Sequence, residues 1–206
     1  DDQSDALQHI SAFICDKNSD TLFLLTGYAG TGKTSIISSM VSTLNLLRLR
    51  PVLLAPTGRA AKVLESFTGK KAFTIHKKIY RQKSQKDGVG SFVLDRNLYR
   101  DTFFIVDEAS MVSNSQNDSS LFGSGKLLDD LIEFVYSGTG CRLLIAGDTA
   151  QLPPVGSVVS PALDPAVLGE YGVRLYFSEL KQVVRQSESS GILMNATAVR
   201  QQVNDG

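Results

Sequence analysis

The sequence predicts an α/β fold with a mostly parallel central sheet, helices on both faces and a small hairpin insert. Three observations carry this. Short, fully apolar runs recur at residues 22–25, 51–55, 103–106 and 143–146, without the alternation of a half-exposed strand, as strands covered on both faces require. Helical periodicity fills most of the intervals between them, which is the pattern of βα units. The stretch Gly27-Tyr28-Ala29-Gly30-Thr31-Gly32-Lys33-Thr34 sits between an apolar run and a helical pattern, the strand–loop–helix setting of a G-x-x-x-x-G-K-[ST] phosphate loop.

Taken in order, residues 3–17 place Ala6, Leu7, Ile10, Phe13 and Ile14 at helical spacing and predict a first helix. The strand at 22–25, the phosphate loop and a helix at 35–47 follow. A second strand at 51–55 ends in Pro56-Thr57-Gly58, residues 59–67 form a helix, and Thr74-Ile75-His76 opens a short helix reaching about Tyr80. Residues 81–101 change character. A basic polar run leads to the turn signal Asp87-Gly88-Val89-Gly90 and then to Ser91-Phe92-Val93-Leu94, which together read as a hairpin-like insert. A third strand at 103–106 ends in Asp107-Glu108. Residues 113–125 are rich in Ser, Asn and Gly and read as a mobile loop. A helix at 126–136, a fourth strand at 142–146, a fifth at 173–177 and a last helix at 192–203 complete the pass. In such a sheet ligands meet the carboxyl ends of the strands.

Composition narrows the class. Hydrophobic residues make up 42% of 206, enough for an ordinary globular core. Lys+Arg and Asp+Glu both number 21, so any nucleic-acid partner has to be held by a local patch. Cys15 and Cys141 stand far apart without a C-x-x-C pattern, the usage of reduced thiols in a cytoplasmic protein rather than of a disulfide frame or zinc site. No apolar run approaches the roughly 20 residues of a membrane span, and the acidic, polar N-terminus is not a secretory leader. Starting without Met and ending directly after a helical pattern, the chain reads as a piece of something longer.

The chemistry-bearing residues follow the strands. In the phosphate loop the glycines let backbone N–H groups turn inward toward phosphate oxygens, and the next helix adds its positive end. Gly27, Ala29, Gly30, Thr31, Gly32, Lys33, Thr34 and Ser35 are the expected nucleotide contacts, with Lys33 reaching the β- and γ-phosphates and Thr34 ligating Mg²⁺. Asp107 is expected to enter the metal shell from the strand neighbouring the loop, and Glu108 to act as general base on the attacking water. A solvated acidic loop is the alternative. Gln151, in Gly147-Asp148-Thr149-Ala150-Gln151-Leu152-Pro153-Pro154-Val155, is placed to sense the γ-phosphate, unless this is only a Pro-stiffened turn. Arg185 offers a guanidinium for developing phosphoryl charge, or is a surface arginine. His76 either contacts a nucleic-acid backbone or is a buried structural histidine.

These blocks, in this order, resemble the N-terminal motor domain of a superfamily 1 DNA helicase of the RecD/Dda-like branch. Residues 3–6 resemble the Q motif, 27–34 motif I, 55–61 motif Ia, 74–76 motif Ib, 106–111 motif II, 147–155 motif III and 184–186 motif IV. The resemblance covers nearly the whole chain and implies a RecA-like, three-layer P-loop NTPase fold built from residues 1–80 and 102–206. It implies ATP and Mg²⁺ as ligands and single-stranded DNA and a duplex fork as partners. It assigns adenine contact to Gln3, DNA contact to Pro56, Thr57, Gly58, Arg59, Thr74 and His76, and a strand-separating pin to residues 81–101. Phe92 is the candidate wedge of that pin, though packing of its ring onto the core explains it as well. The second RecA-like domain with motifs V and VI has no room in this chain, so the intact protein is expected to supply it. For that protein the resemblance implies ATP-driven 5′-to-3′ translocation and unwinding. A nucleotide-dependent binding module or switch without unwinding is the alternative, and a small-molecule phosphotransferase leaves 147–155 and Val184-Arg185-Gln186 without a role.

Overall fold

Leu22 and Leu24 of the first strand pack into one buried cluster, while Phe23 and Leu25 pack into another. Each central strand therefore needs apolar side chains at every position. The computed structural model describes residues 2–83, 91–114, 122–154 and 159–183. Its elements are α1 (Asp2–Cys15), β1 (Thr21–Gly27), α2 (Lys33–Leu46), β2 (Arg50–Ala55), α3 (Gly58–Thr68), β3 (Ala72–Thr74), α4 (Ile75–Ile79), β4 (Tyr80–Gln82), β5 (Phe92–Leu94), β6 (Thr102–Val106), α5 (Leu127–Tyr136), β7 (Arg142–Gly147), α6 (Pro165–Gly169) and β8 (Arg174–Leu180). Six strands form one sheet in the order β3-β2-β6-β7-β1-β8, and each adjacent pair in it is parallel.

The helices fall on two sides. Phe13 of α1, Ile37, Met40 and Leu44 of α2 and Leu64 of α3 share a cluster with Phe23, Leu53, Phe103, Ile105 and Leu144. Ile75 and Ile79 of α4, Leu131 and Phe134 of α5 and Leu168 of α6 share the other with Leu54, Phe104, Val106, Leu143 and Ile145. The result is the expected three-layer α/β fold. Among the described residues no helix is long and apolar enough to cross a membrane.

Several expectations need correction. The sheet has a sixth strand, β3, whose three half-buried residues carry no apolar run, and α6 was not expected. The strand carrying Asp107 is not the neighbour of β1, because β7 lies between them. The hairpin is present as the antiparallel pair β4–β5, but it begins at Tyr80, which pairs with Leu94. The stretch expected as a mobile loop is anchored at its described end, where the Gly123 N–H donates to Phe92 O at 2.8 Å. The turn at 87–90, the segment 115–121, Val155, Arg185 and the helix at 192–203 lie outside the described residues.

The hairpin root is tied to the core by a buried polar contact. Tyr80 donates its hydroxyl to Asp130 Oδ2 at 2.6 Å, and the Ser124 N–H donates to the same oxygen at 3.0 Å. Asp130 is 3% exposed, and a buried carboxylate that loses a donor keeps its desolvation cost. Tyr80→Phe should therefore lower stability by about 1–3 kcal/mol in urea unfolding. A change within about 0.5 kcal/mol would show that water or a neighbour replaces the hydroxyl.

Candidate nucleotide site and its neighbours

β1 ends in the phosphate loop, and the loop needs its glycines. Gly30 and Gly32 have φ of +83° and +94°, in the left-handed region that L side chains adopt only at a cost. A Cβ on Gly27 would lie 2.8 Å from Leu180 O, because β8 passes directly beside it. Lys33 folds back over the loop and donates to Gly27 O at 2.6 Å and Tyr28 O at 2.9 Å. Thr31 is fully buried, and its hydroxyl donates to Tyr28 O at 2.8 Å. Gly32 caps α2 without a side-chain hydrogen bond. The first-turn N–H groups of α2 are thus not claimed by a capping side chain, the arrangement that accepts an anion. Ala29 and Ser35 are exposed at the loop tip and on the first turn of α2.

Helix α1 closes the loop from above. Gln3 donates its amide to Thr31 O at 3.0 Å, so the residue expected at the adenine is fixed to the phosphate loop itself. The Asp2 carboxylate accepts the Lys181 and Gln182 N–H groups at 2.7 and 3.0 Å. These bonds hold its carboxyl below the usual carboxylate range. The chain leaving β8 toward residues 184–186 is thereby clamped beside the loop.

At the end of β6, Asp107 is 7% exposed. Burial pushes its pKa up to about 6, the Glu108 carboxylate adds to the rise, and the Glu108 N–H, Lys33 and the Thr34 hydroxyl oppose it. The Glu108 N–H donates to Asp107 Oδ1 at 2.9 Å. Glu108 itself has φ +56° and ψ +37°, a left-handed conformation that costs a non-glycine residue about 1–3 kcal/mol and concentrates at functional sites. Thr34, Asp107 and Glu108 face a cleft of about 240 Å³ together with Thr57, Arg59 and Met111. The donor set fits a divalent metal: the Thr34 hydroxyl and the Asp107 carboxylate are hard oxygen ligands, and a cation would relieve the crowded pair of carboxylates.

Next to β1 lies β7, and its end is shaped by Asp148, 2% exposed, whose Oδ1 accepts the Ala150 N–H at 2.9 Å. Gln151 follows. Its Oε1 accepts the hydroxyl of fully buried Ser110 at 2.8 Å. The ends of β6 and β7 are therefore joined by a side-chain hydrogen bond spanning 41 residues of sequence. Sequence reasoning gave Ser110 no role, and no local pattern could have paired it with Gln151.

The residues expected at nucleic acid are less uniform. Thr57 and Thr74 cap α3 and α4, accepting the Ala60 and Lys77 N–H groups at 3.2 and 3.3 Å. Pro56 is half-buried, while Gly58 and Arg59 are exposed beside the cleft. His76 packs on Phe122 with ring centres 5.1 Å apart, and burial lowers its pKa. Phe92 stacks on Phe122 at 4.5 Å and packs against the core, which is the packing alternative left open above.

A family model described as an AAA domain matches residues 1–205. The chain belongs to that family. It is 31% identical over 178 residues to an ATP-dependent RecD2 DNA helicase of Deinococcus radiodurans, covering 85% of this chain and 21% of the relative. Two solved Pif1 helicases share the fold. The Bacteroides one, in complex with ADP-AlF3 and ssDNA, matches with TM-score 0.53 and 19% identity over 92% of this chain and 44% of its own. The Candida albicans one matches with TM-score 0.56 and 21% identity over 95% and 42%. The AAA domain thus spans about a fifth of the RecD2 relative and less than half of each Pif1 chain.

In this family context the loop geometry is directly testable. A Cβ on Gly32 would stand 2.3 Å from Gln3 Nε2 at a φ of +94°. Gly32→Ala should weaken nucleotide binding by about tenfold or more, since left-handed backbone costs an L residue about 1–2 kcal/mol before any clash. Titration with a fluorescent nucleotide reads it, and unchanged affinity would contradict this account of the loop.

Proposed function

We propose that this AAA domain is the ATP-binding motor domain of a DNA helicase, binding ATP·Mg²⁺ and single-stranded DNA. The observation that carries the proposal is the Glu108 carboxylate held in strained backbone at the mouth of the cleft that Thr34 and Asp107 also line. The RecD2 and Pif1 likenesses support it over a nucleotide switch without unwinding.

Each residue has a separable task. The Lys33 ammonium, now on two loop carbonyls, transfers to the β- and γ-phosphate oxygens of ATP. Thr34 and Asp107 are the residues that would hold Mg²⁺, and a bound Mg²⁺ would supply positive charge to offset that building on the phosphate oxygens. Glu108 accepts a proton from the attacking water as its oxygen bonds to the γ-phosphorus and the bond to the ADP oxygen breaks. Gln151 stands between this chemistry and DNA. Ser110 holds its Oε1, leaving the amide NH₂ to respond to the γ-phosphate. Arg185 is assigned to the same phosphoryl charge. The loops after β2 and β3, with Pro56, Thr57, Gly58, Arg59, Thr74 and His76, face single-stranded DNA, and the β4–β5 hairpin meets the fork.

The remainder of the motor comes from elsewhere in the intact cytoplasmic protein. A second RecA-like domain closes the ATP cleft, and 5′-to-3′ stepping follows from opening and closing of the two domains around nucleotide. In the intact protein Glu108→Gln should leave ATP binding within about twofold and lower turnover by about 10²–10⁴, the range of a positioned general base. ATP titration and steady-state ATPase with single-stranded DNA read the two effects. Equal losses in both would place Glu108 on the metal or in a structural role.

A further inference from the structure

Along the β3 edge of the sheet, Arg50, Lys71, Lys78 and two aromatic rings form one continuous network, with Lys70 beside it. Arg50 opens β2, Lys70 and Lys71 directly precede β3, and Tyr99 precedes β6. These are the amino ends of parallel strands whose carboxyl ends carry Thr57 and Asp107. The length of β2 puts roughly 17 Å between the two ends. Lys71 Nζ lies 5.5 Å from the Phe73 ring centre, and Lys78 Nζ lies 4.6 Å from the same ring. Lys78 also lies 4.8 Å from the Tyr99 ring centre and donates to the Tyr99 hydroxyl. The Arg50 guanidinium covers Tyr99 at 5.7 Å. Burial and then the charge of Arg50 lower the Lys70 pKa, and Lys70 donates to Asn45 Oδ1 at 3.0 Å.

Among the described residues, none of these four cations is in an ion pair. The Glu65 carboxylate approaches this edge but accepts the Ala72 N–H at 3.3 Å. Aromatic faces therefore hold Arg50, Lys71 and Lys78 in place, and the Asn45 amide holds Lys70, where carboxylates would have neutralised them. In a chain whose charges balance at 21 each, gathering four like charges on one sheet edge is electrostatically unfavourable unless an anion joins them.

We propose that this edge, formed by Arg50, Lys71 and Lys78 on Phe73 and Tyr99 with Lys70 beside them, is a second nucleic-acid site that grips the phosphate backbone of duplex DNA. The proposal rests on the reading of the chain as a DNA motor but uses none of its nucleotide residues. Duplex is favoured over single strand for two reasons. The rings are already covered by cations, so they offer no stacking platform of the kind that single strands use. Duplex DNA also presents a phosphate about every 1.7 Å along its axis, the densest nearby anion for a tight cation cluster. Contacts of this type are independent of base sequence. The network also includes Lys78 of α4, which leads directly into the hairpin at Tyr80, so the site lies at the root of the element assigned to the fork.

The test compares the intact protein with its Arg50→Gln/Lys70→Gln/Lys71→Gln/Lys78→Gln variant. Fluorescence anisotropy follows binding of a blunt duplex, a single strand and a polyglutamate peptide across a salt series. The duplex affinity should fall about tenfold or more, and the slope of log K against log salt should shrink by up to about 3.6, at about 0.9 for each of the four phosphates that are no longer neutralised. Single-strand affinity and the ATPase it stimulates should stay within about twofold. An unchanged duplex slope overturns the proposal, as does an equal loss on single strand, or a loss confined to polyglutamate, which would assign the edge to an acidic protein. If the fourfold variant does not fold, Lys70→Gln/Lys71→Gln removes two charges that precede the strand, with an expected slope change of about 1–2. Arg50→Lys/Lys78→Arg, which keeps the charge, should keep the slope. Loss of single-strand-stimulated ATPase in the unmodified protein would instead count against the motor reading, leaving the duplex slope as a separate result.

Discussion

The Lys33 ammonium closes the phosphate loop on itself, bound to the carbonyls of Gly27 and Tyr28. A loop that turns N–H groups inward needs its own outward carbonyls neutralised and its glycines in left-handed backbone, and both conditions hold here. The neighbours then follow from that geometry. Gln3 braces Thr31 O from α1, and β8 comes so close that Gly27 has no room for a Cβ. Asp2 fixes the exit of β8 beside the same loop. The loop is a folding constraint as much as a binding site, since two elements distant in sequence, α1 and β8, are packed against one turn of backbone.

The second constraint is the parallel sheet covered on both faces. It aligns the carboxyl ends of β1, β2, β6 and β7, so that Thr34, Thr57, Asp107 and Glu108 line one cleft although the chain separates them widely. The local cost is carried at Glu108, whose strained backbone is held by the bond of its own N–H to Asp107 and by the buried residues Ala109 and Ser110 that follow it. The Ser110–Gln151 bond then makes the ends of β6 and β7 a single unit.

Much of this was legible in the sequence where the signal is local. The continuous apolar runs marked the central strands, the glycines and Lys33 marked the loop, and Asp107-Glu108 stood at a strand end. What failed was nonlocal or weak. Strand order is set by long-range pairing, so nothing near Asp107 announced that β7 would come between β6 and β1. Ala72-Phe73-Thr74 is too short to show a pattern, and its strand exists because β2 offers an open edge. Phe92 looked like a wedge because its packing partner, Phe122, lies in a Ser/Asn/Gly-rich stretch that gives no sign of order. The cations along the β3 edge were visible only as scattered residues in a neutral composition, since their convergence depends on the same strand order.

The central claim is that Lys33 exchanges its two loop carbonyls for nucleotide phosphates. Calorimetric titration of ATP·Mg²⁺ into the protein and into Lys33→Ala tests it most directly, with thermal unfolding as the control for folding. Bonds between charged groups of this kind contribute about 1.5–3 kcal/mol each, so affinity should fall by about tenfold to a hundredfold while the variant remains folded. A folded Lys33→Ala protein that binds ATP·Mg²⁺ as tightly as the original would contradict the account.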